Sequence, residues 1–222
     1  FQPDPQHPDG VLPQPVRGGE VKQFVHGGSG ISVAGAVRRD VPDSVVLHLA
    51  DGSVEAITDA PGYDETTIFS PDERLGVVMS ARFSSASDMA ILGLLPRPYP
   101  DSLNMGLNML AYTHAVTGVR ESRPGNVGPA LIDIAASKKR PDYVGINLNT
   151  QPDWVYSSPM SWHPSSKKAM WIERTRAGDR EERAARIQIV ELPDYKAGPT
   201  VSARPTPSAI AGAIADLSTV KS

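Results

Sequence analysis

The chain has 222 residues, of which 22 are Lys or Arg and 25 are Asp or Glu, so its formal net charge is −3. This balance gives no electrostatic reason to expect nucleic acid or an anionic membrane as a partner. The absence of cysteine excludes disulfides and thiolate metal sites, and no apolar run reaches the ~18 residues needed to span a membrane. The 21 prolines and 19 glycines indicate frequent turns, as a many-stranded protein needs.

The N-terminal segment, residues 1–18, is predicted to be an extended arm, because it contains five prolines and little apolar periodicity. The chain begins with Phe1 and not with Met, so we expect it to be processed from a longer polypeptide. The first strand is predicted over Glu20 to Val25. We interpret it as the outer strand of a blade whose earlier strands this chain lacks.

Four further groups of strands follow in residues 19–200, each interpreted as one antiparallel blade. Their predicted strands are 31–37, 44–49 and 53–58 in the first group; 66–70, 74–80 and 88–95 in the second; 107–114, 130–134 and 143–148 in the third; and 160–163, 168–173 and 187–192 in the fourth. The tail, residues 201–222, departs from this pattern. There Ile210, Ile214 and Leu217 recur with helical spacing and predict a short amphipathic helix.

One strand-turn-strand unit occurs twice. The first copy contains Phe69-Ser70-Pro71-Asp72 and the second contains Trp162-His163-Pro164-Ser165. In each, an aromatic residue ends a strand, a turn built on proline reverses the chain, and an apolar run leads to an arginine. Both predict β-hairpins. The two prolines stand 93 residues apart, about twice the ~40–50 residues of one four-stranded propeller blade, so a weaker blade is expected between them.

These residues resemble the TolB-like β-propeller repeat, whose consensus begins with aromatic-Ser-Pro-Asp-Gly. Phe69 to Asp72 matches that element well, and Trp162 to Ser165 matches it loosely. The apolar-x-apolar element of the third strand recurs in four places: Leu47-His48-Leu49, Leu92-Gly93-Leu94, Ile132-Asp133-Ile134 and Val190-Glu191-Leu192. The resemblance covers roughly residues 19–200 and implies an all-β fold, a propeller with about four recognisable four-stranded blades.

Closed propellers have four to eight blades, and most need a longer chain than this one. An open arc would expose apolar blade faces at both ends, which soluble proteins seldom tolerate. We therefore expect a second polypeptide, or a longer precursor, to supply the remaining blades of a six- to eight-bladed propeller. A closed ring of four irregular blades is the alternative.

Catalytic motifs are scarce, so the sequence predicts no catalytic residue, metal site or cofactor. The glycine-rich stretch His26 to Gly30 is similar to an esterase oxyanion loop, yet the chain has no Gly-x-Ser-x-Gly elbow to use it, so a simple turn explains it better. The five histidines lack metal-ligand spacing, and His48 is interpreted as a half-buried strand residue. Asp72 is expected to cap its own turn.

Functional residues are instead expected in the connections that lead from one blade to the next. In the TolB-like family these connections cross the face where ligands and partners dock. Here they are residues 59–65 and 151–156, and each places an aromatic side chain beside an acid. The predicted ligand-binding residues are Tyr63, Asp64, Asp153, Trp154 and Tyr156, suited to a peptide or saccharide. The alternative is that these aromatics cover the ends of the blades.

The resulting functional hypothesis is a non-catalytic binding or scaffold propeller that recognises a partner protein, peptide or saccharide on one face. The resemblance implies a periplasmic or secreted location. Two alternatives keep enzymatic activity open. The chain could be the propeller part of a prolyl-oligopeptidase-type or amidohydrolase-type hydrolase whose catalytic domain lies on another segment, or it could be a propeller polysaccharide lyase.

Overall fold

The computed structural model describes residues 18–35, 42–60, 62–84, 127–140, 142–176 and 182–205, together with 2–4, 6, 9–12 and 113. These residues are mostly β, as predicted, and they form three large antiparallel sheets and one short α-helix. A minimal sheet near the N-terminus pairs β1 (Gln2–Pro3) with β2 (Val11–Leu12). No described helix has the length and apolar character required to cross a membrane.

Sheet I consists of four strands that pair in chain order. They are β3 (Gly18–Val25), β4 (Gly30–Gly35), β5 (Asp43–His48) and β6 (Val54–Ala56). The predicted turn at His26 to Gly30 is present, because a 3₁₀ turn over His26–Gly28 joins β3 to β4. The interpretation of Glu20 to Val25 as the last strand of a missing blade is wrong. β3 pairs with β4 and is the first strand of sheet I.

Sheet II also has four strands in chain order, but its third strand follows a long interval. The strands are β7 (Asp64–Phe69), β8 (Leu75–Ser80), β9 (Gly128–Asp133) and β10 (Ile146–Asn147). The predicted third strand over 88–95 lies outside the described residues, and β9 occupies its expected place beside β8. The two strands predicted near 130–134 and 143–148 therefore complete sheet II and do not belong to a separate blade.

Sheet III has three strands, β11 (Trp154–Trp162), β12 (Lys168–Thr175) and β13 (Ala185–Glu191). It contains the second copy of the repeated hairpin, and the first copy is in sheet II. The two copies are thus in successive sheets, and the expectation of a weaker blade between them is wrong. The described residues form three large sheets, where about four were predicted.

The backbone confirms that the three sheets are copies of one unit. In sheet II, Ser70 N–H donates to Leu75 and Ile134 N–H donates to Arg74; in sheet III, His163 donates to Lys168 and Leu192 to Lys167. In sheet I, Leu49 N–H donates to the Ser29 carbonyl, which is the equivalent of the Ile134–Arg74 and Leu192–Lys167 bonds. Three of the four predicted apolar-x-apolar elements therefore end at equivalent positions. The fourth, at 92–94, lies outside the described residues.

The sheets are stacked in the order I, II, III, and sheet II is buried on both faces. One apolar cluster joins sheets I and II; its buried members are Val25, Val46, Ile57, Phe69, Val78, Ala130, Ile132 and Ile134. The other joins sheets II and III; its buried members are Tyr63, Val77, Met79, Ala81, Val127, Leu131, Tyr156, Met160, Ala169 and Trp171. Phe69 and Trp171 are core residues, with exposures of 1% and 3%. Trp162 packs against the second cluster and donates its Nε1–H to the Ile68 carbonyl at 2.9 Å.

A short helix, α1 (Ile134–Lys139), follows β9. Helix was expected mainly in the tail, whose predicted helix near 210–217 lies outside the described residues. Asp133 is the N-cap of α1, because its side chain accepts the Ala136 N–H at 2.8 Å. The sequence pattern Ile132-Asp133-Ile134 was interpreted as part of a strand, whereas the strand ends at Asp133 and the helix begins at Ile134.

The segment of residues 192–205, which we call the strap, has no regular secondary structure and leaves β13 to cross the turns of sheets II and I. Asp72 anchors it: its Oδ2 accepts the Tyr195 hydroxyl at 2.8 Å and the Gly198 N–H at 2.9 Å. Further along, Val201 N–H donates to the Pro71 carbonyl and Arg204 N–H to the Gly27 carbonyl. Burial alone would raise the pKa of Asp72, but the bonds from Ser70, Tyr195 and Gly198 outweigh it and lower the pKa.

Replacing Asp72 with Asn should weaken the attachment of the strap, because the amide has one acceptor oxygen for bonds that are now shared by two carboxylate oxygens. We expect the free energy of unfolding to fall by about 2 kcal/mol, and protease to cleave residues 193–205 faster. Tyr195→Phe removes one of these bonds and should cost about 1 kcal/mol. Urea denaturation and limited proteolysis test this. If Asp72→Asn matches wild type in both, Asp72 is not the anchor.

Candidate functional site

The two predicted connections lie between successive sheets, as expected. Of the five predicted binding residues, Tyr63, Asp64 and Tyr156 are almost fully buried, with exposures of 1%, 0% and 1%. Tyr63 and Tyr156 belong to the apolar cluster between sheets II and III. Asp153 is exposed and Trp154 is half-buried. Whether a ligand binds here stays a prediction, and Asp153 and Trp154 are the two members that solvent reaches.

Trp154 is the first residue of β11 and packs against a cation. The Arg186 guanidinium carbon lies 3.9 Å from the Trp154 ring centroid, a cation–π distance. Arg186 also bonds the buried carboxylate of Glu173 through Nε at 2.8 Å, and its Nη2 donates to Gln151 at 2.7 Å. Arg186 thus fixes Trp154 and the preceding connection on one side of sheet III.

A group of carboxylates lies near the starts of three strands, and it includes Asp64 of the predicted site. We call it the acidic end: Asp43, Asp64, Glu65 and Glu20, all near the first residues of β5, β7 and β3. The strand starts are held together by two bonds, Asp64 N–H to the Pro42 carbonyl at 3.0 Å and Thr66 Oγ1 to the Glu20 carbonyl at 3.0 Å.

Asp64 and Asp43 are buried neighbours with different hydrogen-bond partners. Asp64 forms a salt bridge with Arg82 and accepts the Ser80 hydroxyl. Asp43 Oδ1 accepts the Thr58 hydroxyl at 2.9 Å and a backbone N–H. Burial, followed by the nearby charge of Asp64, raises the pKa of Asp43 to about 8. The Asp43 carboxyl is therefore mainly protonated at neutral pH.

Glu65 forms a second carboxyl pair, with Glu20, nearer the solvent. Burial, and then the charge of Glu20, raises the pKa of Glu65 to about 7, although the Tyr63 hydroxyl donates to it at 2.9 Å and Lys22 lies 3.8 Å away. A carboxyl that titrates near neutral pH can exchange a proton with a ligand. Glu65 itself is only 6% exposed, so its carboxyl lies largely within the fold.

A cluster of histidines and acids lies at the opposite end, where the hairpin turns are. Glu73 accepts the His26 backbone N–H at 2.7 Å and lies 3.0 Å from His26 Nδ1. The His26 and His48 rings are stacked with centroids 5.6 Å apart, and Glu55 lies 3.8 Å from His26 Nε2 and 3.6 Å from His48 Nε2. Glu55 also pairs with Lys138. The prediction that His48 is a half-buried strand residue is confirmed.

This cluster ties sheet I to sheet II through the Glu73 side chain. Within the part of the chain that the structure describes, no three His, Asp or Glu side chains are arranged to hold a metal ion. A cleft of about 380 Å³ lies beside the cluster, between the turns of sheets I and II and the strap. Its walls include Phe24, Pro71, Glu73, Val201 and Arg204.

The sequence analysis missed Asp43, Glu65 and Arg82. Asp43 is the first residue of β5, Glu65 is the second residue of β7, and Arg82 follows β8, so no shared local signal reveals that β5 and β7 begin side by side. Comparison with protein family models, with curated proteins and with solved structures finds no significant match to this chain. The site is therefore interpreted from its own geometry.

Replacing Asp43 with Asn should stabilise the protein at alkaline pH. Because the folded-state pKa is raised above the ordinary 3.8, the contribution of Asp43 to stability is complete below 3.8 and is lost as pH rises to about 8. Asn keeps the acceptor oxygen and never ionises. We expect Asp43→Asn to exceed wild type by at least ~1 kcal/mol above pH 8, with little difference near pH 4.

Denaturant unfolding at several pH values measures this difference. Asp153→Asn is the matched control, because Asp153 is exposed. Should Asp43→Asn lose stability uniformly across the pH range, Asp43 is ionised in the folded chain and the assignment of its protonation state fails.

Proposed function

We propose that this chain is a non-catalytic binding or scaffold segment of a β-propeller, similar to TolB-like proteins, and that a partner polypeptide packs a further β-sheet against sheet III. Three successive sheets support the propeller assignment. Each is a meander in chain order, and each equivalent turn contains one residue other than glycine with positive φ: His26, Glu73 and Ser166. In the aromatic-Ser-Pro-Asp-Gly consensus, glycine stands at the position that Glu73 and Ser166 occupy.

The outer face of sheet III carries the proposal. Met170 and Ile172 follow Val77 and Met79 by the 93 residues that separate the two hairpin copies. Val77 and Met79 are 1% and 0% exposed, because sheet III covers that face of sheet II. The equivalent face of sheet III also carries the side chains of Ile187 and Ile189, which are 62% and 60% exposed.

The outer face of sheet III is apolar, like the equivalent face of sheet II, but no described sheet covers it. This likeness favours a further sheet as the group that packs there. Cross-strand pairs place Ile172 beside Ile187 and Met170 beside Ile189, so four apolar side chains form one continuous patch. A contiguous exposed patch of this kind marks an interaction surface. Packing a sheet on it would repeat the contact that sheets II and III already make. Asp153 and Trp154 remain available at the edge of this assembly for a peptide or saccharide.

The open face can be tested with a hydrophobic dye on the chain expressed alone. We expect wild type to bind the dye, and Met170→Lys combined with Ile172→Lys to lose most of that binding while keeping its circular dichroism spectrum. Ile146→Lys is the control, because Ile146 is 60% exposed on sheet II, outside the patch. Equal dye binding in both variants would remove the face of sheet III from the proposal.

The partner itself is tested by the intact mass and subunit composition of the native protein. A second polypeptide that is lost in the Met170→Lys, Ile172→Lys variant but retained in Ile146→Lys supports the proposal. A native protein composed of this chain alone, with no dye binding, would refute it.

A further inference from the structure

The outer edge of β13 differs from the outer edges of the other two sheets. In sheet I the third strand pairs with β6, and in sheet II the third strand pairs with β10. In sheet III no described strand pairs with the outer side of β13. The outermost strands of sheets I and II are three and two residues long, whereas β13 has seven residues. Short edge strands protect a sheet from pairing, and a long one exposes unpaired backbone groups.

The backbone groups on this edge can be assigned from their neighbours. Ala184 accepts the Thr175 N–H, and Leu192 N–H donates to Lys167, so both point toward β12. Backbone groups alternate along a strand, so Ile187 and Ile189 direct their N–H and C=O groups outward. In the equivalent positions of sheets I and II, the carbonyls of Ser44 and Pro129 accept N–H groups from the residues after β6 and β10.

Nothing in β13 itself obstructs pairing. The strand contains no Pro, Gly or Lys, and its register with β12 runs without a shift from Ala185 to Glu191. Its one cation, Arg186, is engaged with Glu173 on the side facing sheet II. Natural edges are usually protected by such residues or by a bulge. This edge therefore has the features of a strand-pairing site.

We propose that β13 pairs with β13 of a second copy of this chain, antiparallel about Gln188. A two-fold axis at Gln188 uses the whole strand, because residues 185–191 then face residues 191–185 of the copy. This axis sets Ile187 of each copy opposite Ile189 of the other. Such cross-strand pairs of β-branched residues stabilise a sheet. Arg186 of each copy faces Val190 of the other, and Glu191 of each faces Ala185 of the other. No two like charges are therefore directly opposite each other.

Charge also complements across this contact. Ala185 is paired within its own chain with Arg174, so Glu191 of one copy would lie two strands, about 10 Å, from Arg174 of the other, with only the small Ala185 side chain between them. The chain's own strap does not take this place. It leaves β13 at Leu192, and by Arg204 it lies at Gly27 on sheet I. The contact concerns the edge of sheet III and leaves its outer face free, so it holds whether or not the proposed function is correct.

Oligomeric state and single-cysteine cross-linking test this proposal on the 222-residue chain, which contains no cysteine. Light scattering should give twice the 23.7 kDa chain mass at high concentration, and Ile189→Pro should give 23.7 kDa, since it removes one outward N–H. Ile189→Val keeps that N–H and should stay dimeric.

Cross-linking covers the case in which Ile189→Pro does not fold. In the dimer, Gln188→Cys places the two thiols opposite each other at the two-fold axis, within reach of a disulfide. Glu191→Cys places the two thiols at opposite ends of the paired strands, too far apart to form one. Oxidation should convert Gln188→Cys, but not Glu191→Cys, to a covalent dimer. A monomer at all concentrations, equal cross-linking of both variants, or β13 amides protected from hydrogen exchange in a monomer would each overturn the proposal. The last result would mean that residues 206–222 or another segment of the same chain covers the edge.

Discussion

The contacts made by two adjacent residues, Asp72 and Glu73, link the turns of all three sheets at one end of the stack. Asp72 accepts the Ser70 hydroxyl at 2.6 Å inside its own turn, and its N–H donates to Ser166 in the turn of sheet III at 3.1 Å. Glu73 reaches the other way and accepts the His26 N–H in the turn of sheet I. Glu73 lies within the tight turn and has a positive φ of 54°. The turn of sheet II thus joins both neighbours, while a catalytic pair would need opposed carboxylates.

Local chemistry made the hairpins predictable, and long-range pairing did not. A proline at the second turn position and an aromatic residue before it specify the turns at Pro71 and Pro164 from a few neighbouring residues. The place of β9 beside β8 depends on a strand that resumes after residues 81–127. Because blades were expected at regular intervals, the strand near 130–134 was predicted to belong to a separate blade. Spacing in sequence carries no information about which edge a returning strand will cover.

The candidate site illustrates the same limit. An aromatic residue beside an acid is compatible with a binding face and with the packed end of a sheet, and Tyr63 and Tyr156 both lie in the core. Their burial follows from the close packing of sheets II and III, which composition does not show. Asp43 and Glu65 were missed because their pKa values depend on acids brought near by folding, Asp64 and Glu20 respectively. Asp72 was predicted as a turn cap, and its bonds to the strap, more than 120 residues away, were not visible.

The strap compensates for the lower stability of the terminal sheet in an open stack. In a stack, each unit is stabilised by its nearest neighbours, so a terminal sheet with one neighbour opens more readily than a central sheet with two. Sheet III is covered only on the side of sheet II, and its last strand has an unpaired edge among the described residues. The chain after β13 returns to Asp72 and then to Gly27, so opening sheet III must break hydrogen bonds on sheets II and I. This coupling stabilises the terminal sheet without covering its apolar face or its edge, and both remain accessible to another polypeptide.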